Sequence, residues 1–237
     1  MQEFLHGAFM IILYLIPMAA VAMTARKLIK IPDELFRKIL HFILLGAYIP
    51  LITAFKTWWI AAGFALLFSI VLYPVLALAE KLPAFASFIN QRKSGEIKNS
   101  MVLALSMMAI STLVCWGIFG DRYLVLACIY AWGVGDAFAA LIGKQFGRHK
   151  IKLKFADHKK SVEGSAAFLV TSAVAVFLVL MFRGGIGVFG CGIIALAGSA
   201  VAMFAELCTK DGYDTFTCPA AAMAVILPLI ALFEKVL

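Results

Sequence analysis

The chain has 237 residues, of which 64% are hydrophobic and only 14% charged, with a formal net charge of +8. Soluble domains are about half apolar and a quarter charged, so this balance excludes a water-soluble globular fold. No stretch is long and polar enough for a separate soluble domain, and residues 1–237 read as one integral membrane domain.

The apolar residues come in runs that match the roughly 17 to 25 helical residues needed to cross hydrocarbon. Eight runs are predicted, at 4–24, 39–55, 58–79, 100–119, 123–143, 163–182, 184–205 and 216–233. The first lacks a basic leading segment and is expected to be a retained helix rather than a cleaved signal. The second is short and contains Pro50, and the last carries Pro219 and Pro228, so the expected architecture is an all-α polytopic transmembrane bundle of seven or eight spans. The five cysteines are odd in number, mostly within apolar runs, and lack metal-type spacing.

The positive charge is not spread as a nucleic-acid-binding surface would spread it. Arg26, Lys27, Lys30, Arg37 and Lys38 lie between spans one and two, and Lys81, Arg92, Lys93 and Lys98 between three and four. Lys144, Arg148, Lys150, Lys152, Lys154, Lys159 and Lys160 lie between five and six. The opposite side carries only Lys56, Arg122, Arg183 and the terminal Lys235. This asymmetry is the positive-inside pattern. It predicts cytoplasmic loops near 25–38, 80–99, 144–162 and 206–215, and no nucleic-acid partner.

Ionisable groups within or at the edge of hydrocarbon are costly, and that is where function is first sought. Asp136 lies in the fifth run, seven residues before Gly143 and so about 10 Å below its end at 1.5 Å per residue. Gly133, Ala137, Ala140 and Gly143 share its face, and small faces allow close helix approach, so Asp136 is expected to point into the bundle. Glu163 opens span six, Glu206 closes span seven, Asp214 precedes span eight, and His41 follows Arg37 and Lys38 at the start of span two. All are expected on the same membrane side. Lys159, Lys160 and Ser161 lead into span six, where the free backbone N–H groups of a helix start can favour an anion. Topology signals or headgroup contacts account for Lys150, Lys152 and Lys154 better than a phosphate site does, and for Lys159, Lys160 and Ser161 the two readings are even. Carboxylates beside basic loops suit a metal–nucleotide site, hard oxygens holding Mg²⁺ while cations neutralise phosphate.

Several of these groups, in this order, resemble the membrane lipid kinases that include dolichol kinase, phytol kinase and the CTP-dependent diacylglycerol kinase. The resemblance rests on Arg37-Lys38-x-x-His41, Gly135-Asp136 with Gly143 and Phe146-Gly147-Arg148, Lys160-Ser161-x-Glu163-Gly164, and Glu206 with Asp214-x-x-Thr217-x-Pro219. Arg92, Gly95 and Glu96 form a further short match. The family usually has Asn after the last Asp, whereas Thr215 stands here. A fainter likeness extends to the phosphatidate cytidylyltransferases, without their C-terminal signature.

The resemblance implies transfer of the γ-phosphoryl group of CTP to the hydroxyl of a membrane lipid alcohol, either an isoprenoid alcohol or diacylglycerol. It implies Asp136, Glu163, Asp214 and His41 as catalytic candidates, Asp136, Glu163, Glu206 and Asp214 around Mg²⁺, and Arg37, Lys38, Arg148, Lys159, Lys160 and Ser161 at the nucleotide phosphates. Cytidylyl transfer to a phospholipid and ion-coupled transport through Asp136 are the alternatives.

Overall fold

The computed structural model describes residues 1–81, 96–151, 160–209 and 212–236. Its helices are α1 (Gln2–Leu28), α2 (Asp33–Gly46), α3 (Tyr48–Ala54), α4 (Trp58–Ala79), α5 (Glu96–Ser111), α6 (Tyr123–Phe146), α7 (Val162–Arg183), α8 (Val188–Cys208) and α9 (Asp214–Val236), with a π-helical segment, Thr112–Ile118, prolonging α5. Taking α2 with α3 and α5 with the π segment, eight helical units are long and apolar enough to cross a membrane. Every backbone donor and acceptor in hydrocarbon must be satisfied within the protein, and helices do this within each span. Among the described residues the only non-helical pairing is an isolated antiparallel bridge between Lys150 and Ser161.

Helix α6 is the centre of the bundle, packing against α2, α3, α5, α7, α8 and α9. Its residues Leu124, Val125, Ala127, Cys128, Ile129 and Ala131 are buried, and Phe168, Ile194 and Ile226 of the surrounding helices close the core. Small residues set the spacing. A Cβ on Gly135 would come within 2.7 Å of the Phe168 ring, and one on Gly198 within 2.4 Å of Ile226. By contrast α1 turns Leu5, Phe9, Leu13, Ile16 and Val21 outward, an apolar face that lipid would solvate.

Two spans with awkward prolines resolve differently. In span two the helix breaks at Ala47, and Pro50 falls in the first turn of α3. Proline lacks the N–H that would bond four residues back, and its ring would crowd that carbonyl in a continuous helix. In span eight α9 runs unbroken from Asp214 through Pro219 and Pro228. The sequence placed Asp214 in a loop before a helix opened by Pro219. The helix instead begins at Asp214, with the N–H groups of Phe216 and Thr217 both donating to the Tyr213 carbonyl at 3.0 and 2.9 Å. Proline is tolerated inside membrane helices because neighbouring groups satisfy the freed carbonyl. Among the described residues both spans are thus long and apolar enough to cross, giving eight of the seven or eight expected.

The loops are also tighter than expected. α1 runs to Leu28 and α2 starts at Asp33, so the connection is 29–32, closed by an Arg26–Asp33 ion pair at 2.7 Å. Alternating spans bring the C-terminal ends of α1, α4, α6 and α8 together with the N-terminal ends of α2, α5, α7 and α9.

Candidate active site

One face of α2 lies along α6, running in the opposite direction. Glu34, Lys38, His41 and Leu45 recur at helical spacing, which puts them on a single stripe. The first three find partners successively earlier on α6. Glu34 meets Lys144 at 3.6 Å; Lys38 donates to Asp136 at 2.8 Å; the His41 Nε2 lies 2.9 Å from the Gly133 carbonyl oxygen. Leu45 covers Gly133, where a Cβ would come within 2.3 Å of the leucine methyl. Asp136 therefore points into the bundle, as its small-residue surroundings imply, and its carboxylate also has His41 Nε2 at 3.9 Å.

Lys160 reaches the cluster from the other side. It is held by the short bridge at the base of the α6–α7 connection, where Ile151 N–H donates to the Lys160 carbonyl at 3.1 Å and Val162 N–H to the His149 carbonyl at 2.9 Å. Beneath this the helices nearly touch. A Cβ on Gly147 would lie 2.6 Å from the Ser161 hydroxyl oxygen, and one on Gly164 3.0 Å from the Ala139 carbonyl oxygen. The ammonium of Lys160 forms a close ion pair with Glu206 on α8 and donates to the Glu206 backbone carbonyl at 2.8 Å.

Asp214, in the first turn of α9, completes the group. Its carboxylate accepts from the indole N–H of Trp132 at 3.5 Å. The Trp132 ring meets His41 edge to face, centroids 5.1 Å apart. Asp136, Glu206 and Asp214 are close enough to repel one another, while Lys38 and Lys160 attract both aspartates. The side chains are largely withdrawn from solvent: Lys38 is 10% exposed and Glu206 7%. Three carboxylates thus face two lysines. Each lysine is committed to one acid, and among the described residues no cation lies within ion-pair distance of Asp214.

Six sequence candidates, Lys38, His41, Asp136, Lys160, Glu206 and Asp214, are therefore brought together. Glu163 stands apart. Its carboxylate faces outward to His149, Oε1 lying 2.7 Å from Nδ1 and 3.2 Å from the donating His149 N–H. Ser161 is buried as the cap of α7, its hydroxyl accepting from Gly164 N–H at 3.2 Å. This uses one of the free N–H groups that the sequence offered to an anion. Arg37 lies 3.7 Å from Glu34 on the edge of the stripe, and Arg148 is exposed on the loop. Lys159, Arg92, Gly95 and the Glu96 side chain lie outside the described residues.

Trp132 and Glu34 were not singled out by the sequence. Both were within reach of it, since Trp132 is one helical turn before Asp136 and Glu34 one turn before Lys38. Trp132 sat in a run that otherwise read as a span, and Glu34 in the loop expected at 25–38.

The donor set fits Mg²⁺ in one specific sense. Among the described residues no three His, Cys, Asp or Glu side chains form a ready-made metal cage. Magnesium seldom uses one; it is commonly held by one or two carboxylates, waters and substrate phosphates. Asp214, with only an indole N–H, and Asp136 beside it supply hard oxygens and an excess of negative charge.

No family model, curated protein or solved structure matches the chain.

Proposed function

We propose that this protein is a membrane lipid kinase that transfers the γ-phosphoryl group of CTP to the hydroxyl of a lipid alcohol, with the charged cluster facing the cytoplasm. The observation that carries this reading is the cluster itself: three carboxylates and two lysines, drawn from five different spans, meet at the membrane edge within reach of a hydroxyl lying at headgroup depth. Helix packing alone gives no reason to gather five ionisable groups there, since each is expensive in hydrocarbon. The nucleotide and the reaction class rest on the resemblance that the motifs from Arg37 to Pro219 carry.

In this reading Lys38 and Lys160 exchange their carboxylate partners for phosphate oxygens when the nucleotide arrives, which releases Asp136 and Glu206. Asp136 and Asp214 would hold Mg²⁺, which would neutralise charge on the β- and γ-phosphates. The lipid oxygen forms a bond to the γ-phosphorus as the bond to the β-bridging oxygen breaks, and CDP departs with that electron pair. The hydroxyl proton passes to a carboxylate of the cluster. Catalysis of this kind is mainly positioning and electrostatics. His41, held by the Gly133 carbonyl and the Trp132 edge, orients the Asp136 side of the site. The substrate class is an isoprenoid alcohol or diacylglycerol.

The test uses purified protein with Mg²⁺, a panel of phytol, polyprenol and diacylglycerol, and CTP labelled at either the α or the γ position. Label entering lipid from the γ position, with CDP released, is the expected result. Label entering from the α position with phosphatidate would identify cytidylyl transfer instead, and no lipid labelling under any condition would reject both. Transfer from ATP alone would retain the kinase and reject CTP. Asp136→Asn is expected to abolish the transfer while leaving a monodisperse protein.

A further inference from the structure

A second polar cavity lies at the opposite end of the bundle, far from the charged cluster. Its volume is about 470 Å³, and Lys56, Asp121, Arg122, Tyr123, Arg183 and Glu234 line it. Basic residues are scarce at this end: Lys56, Arg122 and Arg183 are the ones whose side chains are described there, and they come from three distant points in the sequence. All three face the same cavity.

The cavity is a built one. The π-helical segment ends with Phe119 N–H donating to the Val114 carbonyl and Asp121 N–H to the Cys115 carbonyl, both at 3.1 Å. This wide final turn, with Gly120 at a φ of 75°, delivers Asp121 to the rim. Asp121 accepts from Tyr123 N–H at 2.8 Å and pairs with Arg183. Arg183 also pairs with Glu234 and donates to the Gly184 carbonyl at 3.2 Å. π-helical turns are rare and often mark functional positions.

The charges decide what such a cavity would take. One arginine holds both carboxylates, while Arg122 and Lys56 form no ion pair among the described residues. Arg122 lies over the Tyr123 ring at 5.4 Å and donates to the Ile52 carbonyl at 3.3 Å, leaving further N–H groups of its fork. Glu3 attracts Lys56 at longer range, but its oxygens are occupied by the backbone N–H groups of Lys56 and Thr57 and by the Thr57 hydroxyl. A guanidinium and an ammonium at the end of a span, at headgroup depth and flanked by an aromatic ring, match a phosphate group.

We propose that this cavity binds the phosphate of a phospholipid headgroup in the leaflet opposite the charged cluster, with Arg122 and Lys56 as its cations. Arg183 is the positioning residue that pairs with Asp121 and Glu234 on the cavity wall and offsets their charge. The proposal is independent of the kinase reading, and failure of either leaves the other standing.

Native mass spectrometry of the purified chain in a neutral detergent tests it. The probes are phosphatidylglycerol, a phosphate-free glycolipid with the same chains, and inorganic phosphate. The parent protein is expected to retain phosphatidylglycerol in preference to the glycolipid. The Arg122→Gln/Lys56→Gln variant is expected to bind it about tenfold more weakly, as loss of charge-assisted hydrogen bonds implies. Lys150→Gln at the other end is expected to change nothing, which separates this site from the basic loops. Lys56→Gln alone, at an exposed lysine, carries the test if the double variant does not fold. Equal retention by parent and variants overturns the proposal. Displacement by inorganic phosphate with no preference between the two lipids also overturns the headgroup assignment, leaving a free-ion site.

Discussion

Replacing Lys38 by Met separates what the charged cluster does for stability from what it does for chemistry. Lys38 and Asp136 are 10% and 19% exposed and joined at 2.8 Å, so removing the ammonium leaves a carboxylate in a largely dry setting. Breaking a buried pair costs about 3 to 5 kcal/mol. His41 Nε2 remains at 3.9 Å and Lys160 still attracts Asp136, which argues for the lower end, about 3 kcal/mol. Asp136→Leu is expected to cost less, about 1 to 2 kcal/mol, because a lone lysine near a span end can extend towards the headgroups. Replacing both by Met and Leu removes the two charges together and is expected to fall within about 1 kcal/mol of the parent. A double-mutant cycle measured by denaturant unfolding in mixed micelles should therefore give a coupling of about 2 kcal/mol or more. The paired variant should be stable yet transfer no γ-label. Additivity of the two single changes within about 0.5 kcal/mol would refute the ion-pair argument, and a fully active double variant would refute the site.

Gly147→Ala is expected to destabilise the α6–α7 junction by about 1 to 3 kcal/mol, since its Cβ would press on the Ser161 hydroxyl, whereas Gly63→Ala, with nothing within 4 Å, should be neutral by thermal unfolding. His149→Cys in a Cys208→Ser background should be labelled by a membrane-impermeant thiol reagent only from the cytoplasmic side, because the other four cysteines are buried; labelling from outside would reverse the proposed orientation. Trp132→Phe keeps an aromatic edge for His41 but removes the donor to Asp214. It should lower γ-transfer several-fold, by about 1 kcal/mol, with stability almost unchanged, and an unaltered rate would remove Trp132 from the site.

The spans were legible because hydrocarbon demands long apolar runs, and the runs around Trp58, Tyr123, Glu163 and Gly184 lie within a few residues of α4, α6, α7 and α8. What the sequence could not supply was the effect of single residues on helix continuity. Pro50 falls beside the break in span two while Pro219 and Pro228 leave α9 intact, a difference that the residue type alone does not carry. For the site, the stripe from Lys38 to His41 and the inward direction of Asp136 follow from helical spacing alone. The separation of Glu163 from the other acids does not. It sits beside the same helix start as Lys160, yet the two residues point to opposite sides, one to His149 and the other to Glu206. The Trp132 link to Asp214 was hidden because a tryptophan in an apolar run looks like packing until its N–H finds a partner.

The position of Lys160 has a mechanical consequence. Its ammonium holds both the Glu206 side chain and the Glu206 main-chain carbonyl at the end of α8, where the helix has no further N–H to offer that carbonyl. Any ligand that draws Lys160 away must therefore compete with the last turn of α8, and only an anion offering several oxygens can win that exchange. When it does, the freed end of α8 and the Thr209–Thr217 hydrogen bond just beyond it become the segment that takes up the change. Under the proposed function, occupancy at the cluster would thus act on the last turn of α8, where the Glu206 side chain and carbonyl converge on one ammonium.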